Sequence, residues 1–203
     1  MSNILLLASK SESRQQLLQE AKIPFKVIKQ EAKEEECDWG LPLVQLVESI
    51  ALHKMNDITL DKGKEGERCF VLTADTLSQL PDGTLQGKPT DREDAIAKIK
   101  AARTGSRLAT AFCLDRKIFE QGEWKMDRRI VHVVTADYFF DVPDHWIDRY
   151  LEHSRGFVAS NAIAVEDYGA QFFKQMSGSY STIVGLPMFE LREALDQLEF
   201  FGE

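Results

Sequence analysis

The sequence predicts an α/β protein whose helices and strands pack in layers. Apolar runs typical of strands alternate with segments whose apolar residues recur every three or four positions, as on one face of a helix. Turn signals rich in glycine, proline and short polar residues separate these segments. No internal repeat, low-complexity stretch or linker divides the 203 residues, and 43% of them are hydrophobic. We therefore expect one domain, covering 1–203, with a core of its own.

The first strand and the first helix meet at a hydroxyl-rich turn. Residues 4–8 form an apolar run that predicts a buried strand, and Leu17 and Leu18 belong to a helical repeat further on. Ser11 or Ser13 can cap this helix, because a short side-chain oxygen accepts a hydrogen bond from an unpaired N–H group of the first turn. Those N–H groups and the positive end of the helix dipole make such a turn a natural anion site.

The later elements follow from the same patterns. Alternating apolar and polar residues predict a strand at 25–30, an apolar stripe predicts a helix at 41–58, and an apolar run predicts a buried strand at 69–72. The remaining predicted elements are a helix at 91–102, strands at 109–114 and 130–140 separated by a polar stretch at 115–129, a helix opened by Pro143, short strands at 158–165 and 171–174, and a C-terminal helix bearing Leu191, Leu195 and Leu198.

Two cations fall on helix faces that should point inward. Arg14 lies three and four residues before Leu17 and Leu18, and Lys54 lies four residues after Ile50, so each shares a face with apolar residues. A buried charge without a partner is costly, so both side chains need one. The alternative for Arg14 is a structural arginine that reaches past the edge of the core to a nearby carboxylate.

Other charged residues complete a set suited to phosphate chemistry. An acidic run covers 31–38, Asp75 follows a buried strand at its predicted carboxyl end, and Lys88 lies on a constrained backbone between glycine and proline. Cations and helix N–H groups neutralise phosphates, carboxylates hold Mg²⁺, and one carboxylate activates water, which is what hydrolysis of a phosphoanhydride needs. Taken singly, the acidic run is typical of a solvated loop, Asp75 of a turn or cap aspartate, and Lys88 of an exposed turn lysine.

Composition narrows the class of partner and the compartment. A net charge of −8 argues against a nucleic-acid polymer or an anionic membrane, since both need a broad basic surface. Cys37, Cys69 and Cys113 are far apart and lack metal-ligand spacing, which predicts reduced thiols that are buried and take no part in the chemistry. No signal segment, membrane-spanning apolar run or histidine-rich zinc motif occurs, so we expect a soluble cytoplasmic protein.

Four motifs together resemble one family. They are LASKSESRQQLL at 7–18, TADT at 73–76, GKPTDREDA at 87–95 and GSYSTIVGLP at 178–187. In this order they resemble the Maf family of nucleoside triphosphate pyrophosphatases, named after a septum-formation protein. The resemblance implies a mixed central sheet flanked by helices, two lobes with a cleft between them, and a homodimer. It also implies water attack on a nucleoside triphosphate, releasing pyrophosphate and a monophosphate, in a house-cleaning role.

The same resemblance assigns residues to this reaction. Those implied to contact the triphosphate are Ser9, Arg14, Lys54 and Lys88. Glu34 and Asp75 would hold the divalent ion, which is Mg²⁺ with Mn²⁺ or Co²⁺ as substitutes, and Asp75 would also be the general base. The further substrate-binding positions are Ser11, Ser13, Thr76 and Glu166.

Because of departures from the family pattern, the sequence does not decide which nucleobase the substrate carries. Ser13 replaces an arginine of the pyrimidine-preferring subgroup and a tryptophan of the 7-methyl-GTP subgroup, whereas Thr76 resembles the pyrimidine subgroup. Glu166 resembles the 7-methyl-GTP subgroup, and a carboxylate can accept hydrogen bonds from guanine N1–H and the 2-amino group. Residues 159–161 (Ala-Ser-Asn) replace basic and glycine-rich residues.

The sequence allows two alternatives to a Maf-like nucleoside triphosphate pyrophosphatase. The first is a non-catalytic nucleotide-binding or interaction paralogue linked to cell division, which the departures at Ser13 and 159–161 motivate. The second is a pyrophosphatase of the inosine-triphosphate type, which the order of the motifs disfavours.

Overall fold

Seven strands and six α-helices are present in the computed structural model, which describes residues 3–202. The strands are β1 (Leu5–Leu7), β2 (Phe25–Val27), β3 (Arg68–Gln79), β4 (Leu85–Gln86), β5 (Ser106–Glu120), β6 (Glu123–Phe140) and β7 (Phe173–Ser177). The helices are α1 (Glu12–Glu20), α2 (Leu43–Asn56), α3 (Arg92–Ala102), α4 (Ile147–His153), α5 (Tyr180–Val184) and α6 (Met188–Gln197). Short 3₁₀ turns occupy Glu34–Glu36, Asp144–Trp146, Gly156–Val158, Ser160–Ala162 and Asp167–Phe172.

The chain divides into two compact units. Unit 1 is formed by the described residues within Met1–Asp75, Ala111–Val133 and Gly185–Glu203. Its strand order is β2-β1-β3-β5-β6, and β1 pairs in parallel with both β2 and β3. One side of the sheet packs α1 and α6 around Leu18 and Leu195, and the other packs α2 through Met55. The sheet of this unit is therefore covered by helices on both faces, as apolar strands require.

Unit 2 contains Thr76–Thr110 and Val134–Val184. It holds the other halves of β3, β5 and β6, with β4 antiparallel to β3 and β7 antiparallel to β6. Its core joins α3, α4 and the 3₁₀ turns through buried residues such as Ile99, Tyr150 and Phe172. Parallel and antiparallel pairs thus both occur, which confirms the expected α/β fold with a mixed sheet flanked by helices.

Three predicted elements differ from the observed ones. Asp75 does not follow a strand but lies inside β3, which continues to Gln79. The polar stretch at 115–129 is not a connection: β5 and β6 run through it and turn at Gln121 and Gly122, whose φ angles of 56° and 88° suit a two-residue hairpin turn. The predicted strand at 158–165 is absent from the described residues, where 3₁₀ turns occur instead.

The strands β5 and β6 extend through this polar stretch because its charged side chains pair with one another. The carboxylate of Asp115 is fully buried and accepts hydrogen bonds from Nε and Nη2 of Arg129 at 2.7 and 2.9 Å. Lys117 Nζ lies 3.4 Å from the same carboxylate. Charged residues at every second position can therefore belong to the interior of a strand when they pair across strands. Interpreting every polar stretch as a loop misses such strands.

None of the helices within residues 3–202 is long and apolar enough to cross a bilayer. The three cysteines are free thiols, and only Cys113 among them is fully buried.

Replacing Arg129 with methionine should lower the free energy of unfolding by about 2 to 3 kcal/mol, because the buried Asp115 carboxylate would lose its bidentate partner. The measurement is the urea unfolding midpoint at neutral pH. Arg128→Met is the matched control, since Arg128 is exposed and donates to the Gln197 carbonyl, and its effect should stay below about 0.5 kcal/mol. Equal losses in the two variants would contradict this reading of the pair.

Candidate functional site

The start of α1 has the geometry of a capped helix. Ser11 is the N-cap, and its Oγ accepts a hydrogen bond from the backbone N–H of Arg14 at 3.4 Å. The Oγ of Ser9 accepts from the backbone N–H of Ser11 at 3.3 Å, so both hydroxyls face the same turn. Ser13 lies inside the first turn of the helix and is half-buried. Of the two candidate caps, the structure selects Ser11.

Arg14 is buried and bonded mainly to backbone. Its Nε donates to the carbonyl of Gly185 at 2.7 Å, and its Nη1 donates to the carbonyl of Ala74 at 2.9 Å and to Ser9 Oγ at 3.2 Å. Burial lowers the pKa of Arg14, whereas the carboxylates of Asp75 and Glu34 oppose that shift. The guanidinium therefore joins the end of β1, the interior of β3 and the start of the C-terminal segment.

Neither sequence-based interpretation of Arg14 named the partners that the structure gives it. The hydrogen bonds described above go to two carbonyls and a hydroxyl. Backbone acceptors could not be foreseen, because the sequence does not show which loops meet the helix. Gly185 lies within the GSYSTIVGLP motif, which was its only signal.

Lys54 lies between two carboxylates. Its Nζ is 2.6 Å from Oε1 of Glu34 and 2.6 Å from Oδ1 of Asp75. The three side chains come from α2, the 3₁₀ turn Glu34–Glu36 and β3. The side chains of Lys54 and Asp75 are only 8% and 9% exposed, whereas that of Glu34 is 44% exposed. The cluster is thus open on the Glu34 side and closed behind Asp75.

Asp75 presents an oxygen suited to a cation or a proton. Its Oδ2 is buried and has no hydrogen-bond partner among the described residues, although such atoms are normally paired in folded proteins. Carboxylate oxygens are the ligands that Mg²⁺ prefers, and Glu34 supplies a second, more accessible carboxylate nearby. Within residues 3–202 no group of three or more histidine, cysteine or acidic side chains is arranged to hold a metal. A divalent ion here would therefore depend on these two carboxylates, with water or substrate completing its shell.

The remaining predicted residues lie in unit 2. The Oγ of Thr76 is 2.9 Å from the Oγ of Thr110, whose hydroxyl also donates to the carbonyl of Thr182 at 2.8 Å. Lys88 is exposed in the connection between β4 and α3. Glu166 is half-buried at the entry to the 3₁₀ turn Asp167–Phe172.

The turn that carries Glu166 is tightly held. The backbone N–H of Gly169 donates to the carbonyl of Glu166 at 2.9 Å. A Cβ atom on Gly169 would lie 1.7 Å from the carbonyl oxygen of Ala164, so only glycine fits there. Tyr150 Oη accepts from the N–H of Ala164 at 2.8 Å and donates to the carbonyl of Ala162 at 3.0 Å. The backbone leading to Glu166 therefore has a defined path rather than that of a loose loop.

The structure brings some of the predicted residues together within unit 1. Those in mutual contact are Ser9, Ser11 and Arg14 at the helix start, and Glu34, Lys54 and Asp75 in the ionic cluster. The backbone connects the two groups, because Arg14 binds the carbonyl of the residue directly before Asp75.

Comparison with known proteins identifies the family of this chain. The family model described as "Maf-like protein" matches residues 4–198. The chain belongs to this family. It is 32% identical over 202 residues to a dTTP/UTP pyrophosphatase of Ruminiclostridium cellulolyticum, covering 98% of this chain and 97% of that protein. It is 31% identical over 197 residues to a dTTP/UTP pyrophosphatase of Fusobacterium nucleatum, covering 97% and 96%.

Among solved structures, a HAM1 protein from Coxiella burnetii aligns with a TM-score of 0.37 and 13% identity, covering 68% of this chain and 73% of that chain. This likeness is too weak to argue from. The predicted membership of the Maf family is confirmed by the family model, which spans all four of the motifs.

The thiol of Cys37 offers a probe of the ionic cluster. Burial raises the pKa of Cys37, and the carboxylates of Glu34 and Asp75 raise it further. Removing a negative charge in Glu34→Gln should lower this pKa, so that more thiolate is present at pH 8 and alkylation by iodoacetamide becomes faster. Mass spectrometry of the alkylated peptides gives the rate at each cysteine.

Two controls accompany this measurement. Glu35→Gln changes an exposed neighbour in the same turn and should leave the Cys37 rate unchanged. Cys69 has a pKa raised to about 12, chiefly by its own burial, and should react slowly in every variant. An unchanged Cys37 rate in Glu34→Gln would show that the carboxylate does not influence the thiol.

Proposed function

We propose that this protein is a nucleoside triphosphate pyrophosphatase that releases pyrophosphate and a nucleoside monophosphate. One observation carries the proposal: a lysine held between two carboxylates, one of which has a buried oxygen without a hydrogen-bond partner in the described residues. Membership of the Maf-like family and relatives named dTTP/UTP pyrophosphatase support the same reaction. A binding module would have little need for such a cluster.

In this proposal the reacting groups have separate tasks. Asp75 is the general base and takes a proton from the attacking water at Oδ2, while Lys54 holds its other oxygen. Water adds to the triphosphate, the bond to the pyrophosphate leaving group breaks, and the products are a monophosphate and pyrophosphate. Positive charge near the phosphates is supplied by Lys54, Lys88 and Arg14, and it offsets the charge that develops on the oxygens.

The helix start contributes a fixed binding surface. Ser9 and Ser11 lie at the N-terminus of α1, where unpaired N–H groups and the helix dipole favour anions. The buried bonds of Arg14 hold this turn against β3, so the surface needs little rearrangement when the substrate binds. Pre-organisation of this kind lowers the entropy cost of binding.

A divalent cation fits the two carboxylates. Glu34 and Asp75 would hold Mg²⁺, with Mn²⁺ or Co²⁺ as substitutes, because the buried oxygen of Asp75 and the accessible carboxylate of Glu34 suit a hard cation. When bound, such an ion polarises phosphoryl oxygens and neutralises their charge.

The base is read, in this proposal, by Ser13, Thr76 and Glu166. The relatives' names make dTTP and UTP the first substrates to test. The carboxylate of Glu166 suits a base that presents two adjacent donors, such as guanine or 7-methylguanine, because an ionised carboxylate only accepts hydrogen bonds.

Further parts of the proposal rest on the family resemblance and the composition. They are a single domain over 1–203, a homodimer, a cytoplasmic location consistent with free thiols, and a house-cleaning role or a link to septum formation.

Asp75→Asn and Glu34→Ala should each reduce pyrophosphate release by at least about a hundredfold, because each removes a carboxylate from the ionic cluster. The assay measures pyrophosphate from dTTP, UTP, CTP, ITP and 7-methyl-GTP with Mg²⁺, Mn²⁺ or Co²⁺. Glu35→Ala, in the same turn as Glu34 but exposed, is the matched control and should keep its rate.

One outcome of this experiment would contradict the proposal. The wild-type protein could release no pyrophosphate from any of these triphosphates with any of the three metals, which would refute the proposed reaction. Calorimetry that found tight triphosphate binding without hydrolysis would then favour the non-catalytic paralogue.

Glu166→Gln should raise kcat/KM for dTTP and UTP relative to 7-methyl-GTP by about tenfold. The amide can donate to a pyrimidine carbonyl, whereas the carboxylate repels it. The ratio of kcat/KM values on the same panel is the measurement. Asp167→Asn is the control, since it removes a neighbouring exposed carboxylate in the same turn. An unchanged ratio would remove Glu166 from base selection.

A further inference from the structure

Residues 86–88, called here the 86–88 loop, are the last residue of β4 and the two residues after it. Each of their three backbone carbonyls accepts a hydrogen bond from a separate donor. The first, on Gln86, accepts from Ser160 Oγ at 2.7 Å. The next accepts from the backbone N–H of Asn161 at 3.0 Å. The third, on Lys88, accepts from Lys98 Nζ at 3.3 Å. A short loop rarely needs every carbonyl of such a stretch bonded, since exposed carbonyls are satisfied by water.

The donors are themselves fixed in place. Lys98 lies on α3 and its ammonium also bonds Oδ2 of Asp94 at 2.6 Å, one turn earlier on the same helix. Asn161 is fully buried, and its Nδ2 donates to Ser106 Oγ at 3.1 Å. Asn161 also has a φ angle of 58°, a left-handed conformation that asparagine tolerates better than most residues. The loop at 86–88 is therefore bonded to rigid parts of unit 2.

Within residues 3–202 no hydrogen bond or ion pair holds the side chain of Lys88 in the same way. It is exposed, and a lysine ammonium sits on a flexible stem with several rotatable bonds. Only the backbone end of this side chain can be fixed by the protein before a ligand arrives. Fixing that end limits the volume the ammonium explores and so reduces the entropy lost on binding an anion.

We infer that Ser160, Asn161 and Lys98 are positioning residues that hold the backbone of Lys88 so that its ammonium meets the triphosphate. The inference rests on the proposed function, because it takes Lys88 as a triphosphate ligand. It gives a role to the segment 159–161, which departs from the family pattern in the sequence. A polar turn here aligns the loop of the binding lysine instead of contacting the phosphates with basic side chains.

The same turn leads into the segment that carries Glu166. Tyr150 holds the backbone at Ala162 and Ala164, directly after the residues that hold the 86–88 loop. The position of the lysine loop and the path toward Glu166 therefore share one anchored stretch of backbone.

A double-mutant cycle tests this role. Ser160→Ala and Lys98→Met should each raise KM for the triphosphate and lower kcat/KM about fivefold, as expected for one lost hydrogen bond, with kcat changed less. In a Lys88→Met background neither substitution should lower kcat/KM further, because a positioning residue acts only through the residue it positions. Ser160→Thr keeps the hydroxyl and should restore most of the lost kcat/KM.

Lys100→Met is the matched control for Lys98→Met. Lys100 lies on the same helix and is paired with Asp144 at 3.3 Å, but it is not bonded to the 86–88 loop. Its loss should leave KM unchanged in both backgrounds. Urea unfolding midpoints of all variants separate a loss of folding from a loss of positioning.

A second readout does not depend on turnover. Calorimetric titration with inorganic tripolyphosphate should show about fivefold weaker binding in Ser160→Ala, and no further weakening when Lys88→Met is already present. Equal losses with and without Lys88 would overturn the inference and indicate a general structural role. If the protein bound tripolyphosphate but released no pyrophosphate from any nucleoside triphosphate, the proposed function would be refuted. The titration would still test the positioning role. Absence of tripolyphosphate binding to the wild-type protein would overturn the positioning role, whereas the pyrophosphate assay decides the proposed function separately.

Discussion

The ion pairs of Lys54 with Glu34 and Asp75 are the interaction that the candidate site of unit 1 is built on. They join a helix, a 3₁₀ turn and the interior of a strand that are separated in sequence by about twenty residues each. Each charge needs the others, because an unpaired lysine or aspartate at this depth would be strongly disfavoured. The lysine ammonium therefore contacts both carboxylates at once.

The second constraint is the backbone bonding of Arg14. A guanidinium has five donors, and at least three are used by Gly185, Ala74 and Ser9. Two of these acceptors are carbonyls and the third is a hydroxyl, so these bonds hold the guanidinium in place without a carboxylate among them. Its positive charge thus remains close to the N-terminus of α1, where the helix dipole has the same sign. A fixed positive field of this kind suits a polyanionic ligand better than a flexible surface lysine would.

Some features could be predicted from residue patterns and others could not. The helices at α1, α2 and α3 and the inward positions of Arg14 and Lys54 follow from local periodicity, which depends only on neighbours along the chain. The hairpin of β5 and β6 was missed because its polar residues pair across strands, as Asp115 and Arg129 do. The segment at 158–165 was wrongly predicted as a strand, because its buried apolar residues from Ala162 onward follow 3₁₀ turns with positive φ at Asn161 and Ala162 and pack inside unit 2.

The sequence by itself determined the α/β class, the family and the set of residue types available for phosphate chemistry, because these depend on local periodicity and on motifs in a fixed order. The tertiary structure decided which of those residues meet. It paired Lys54 with both carboxylates, gave Arg14 backbone partners, and tied the Lys88 loop to Ser160, Asn161 and Lys98. These contacts join positions far apart in the chain, and the distance between two such side chains is set by packing rather than by their spacing in sequence.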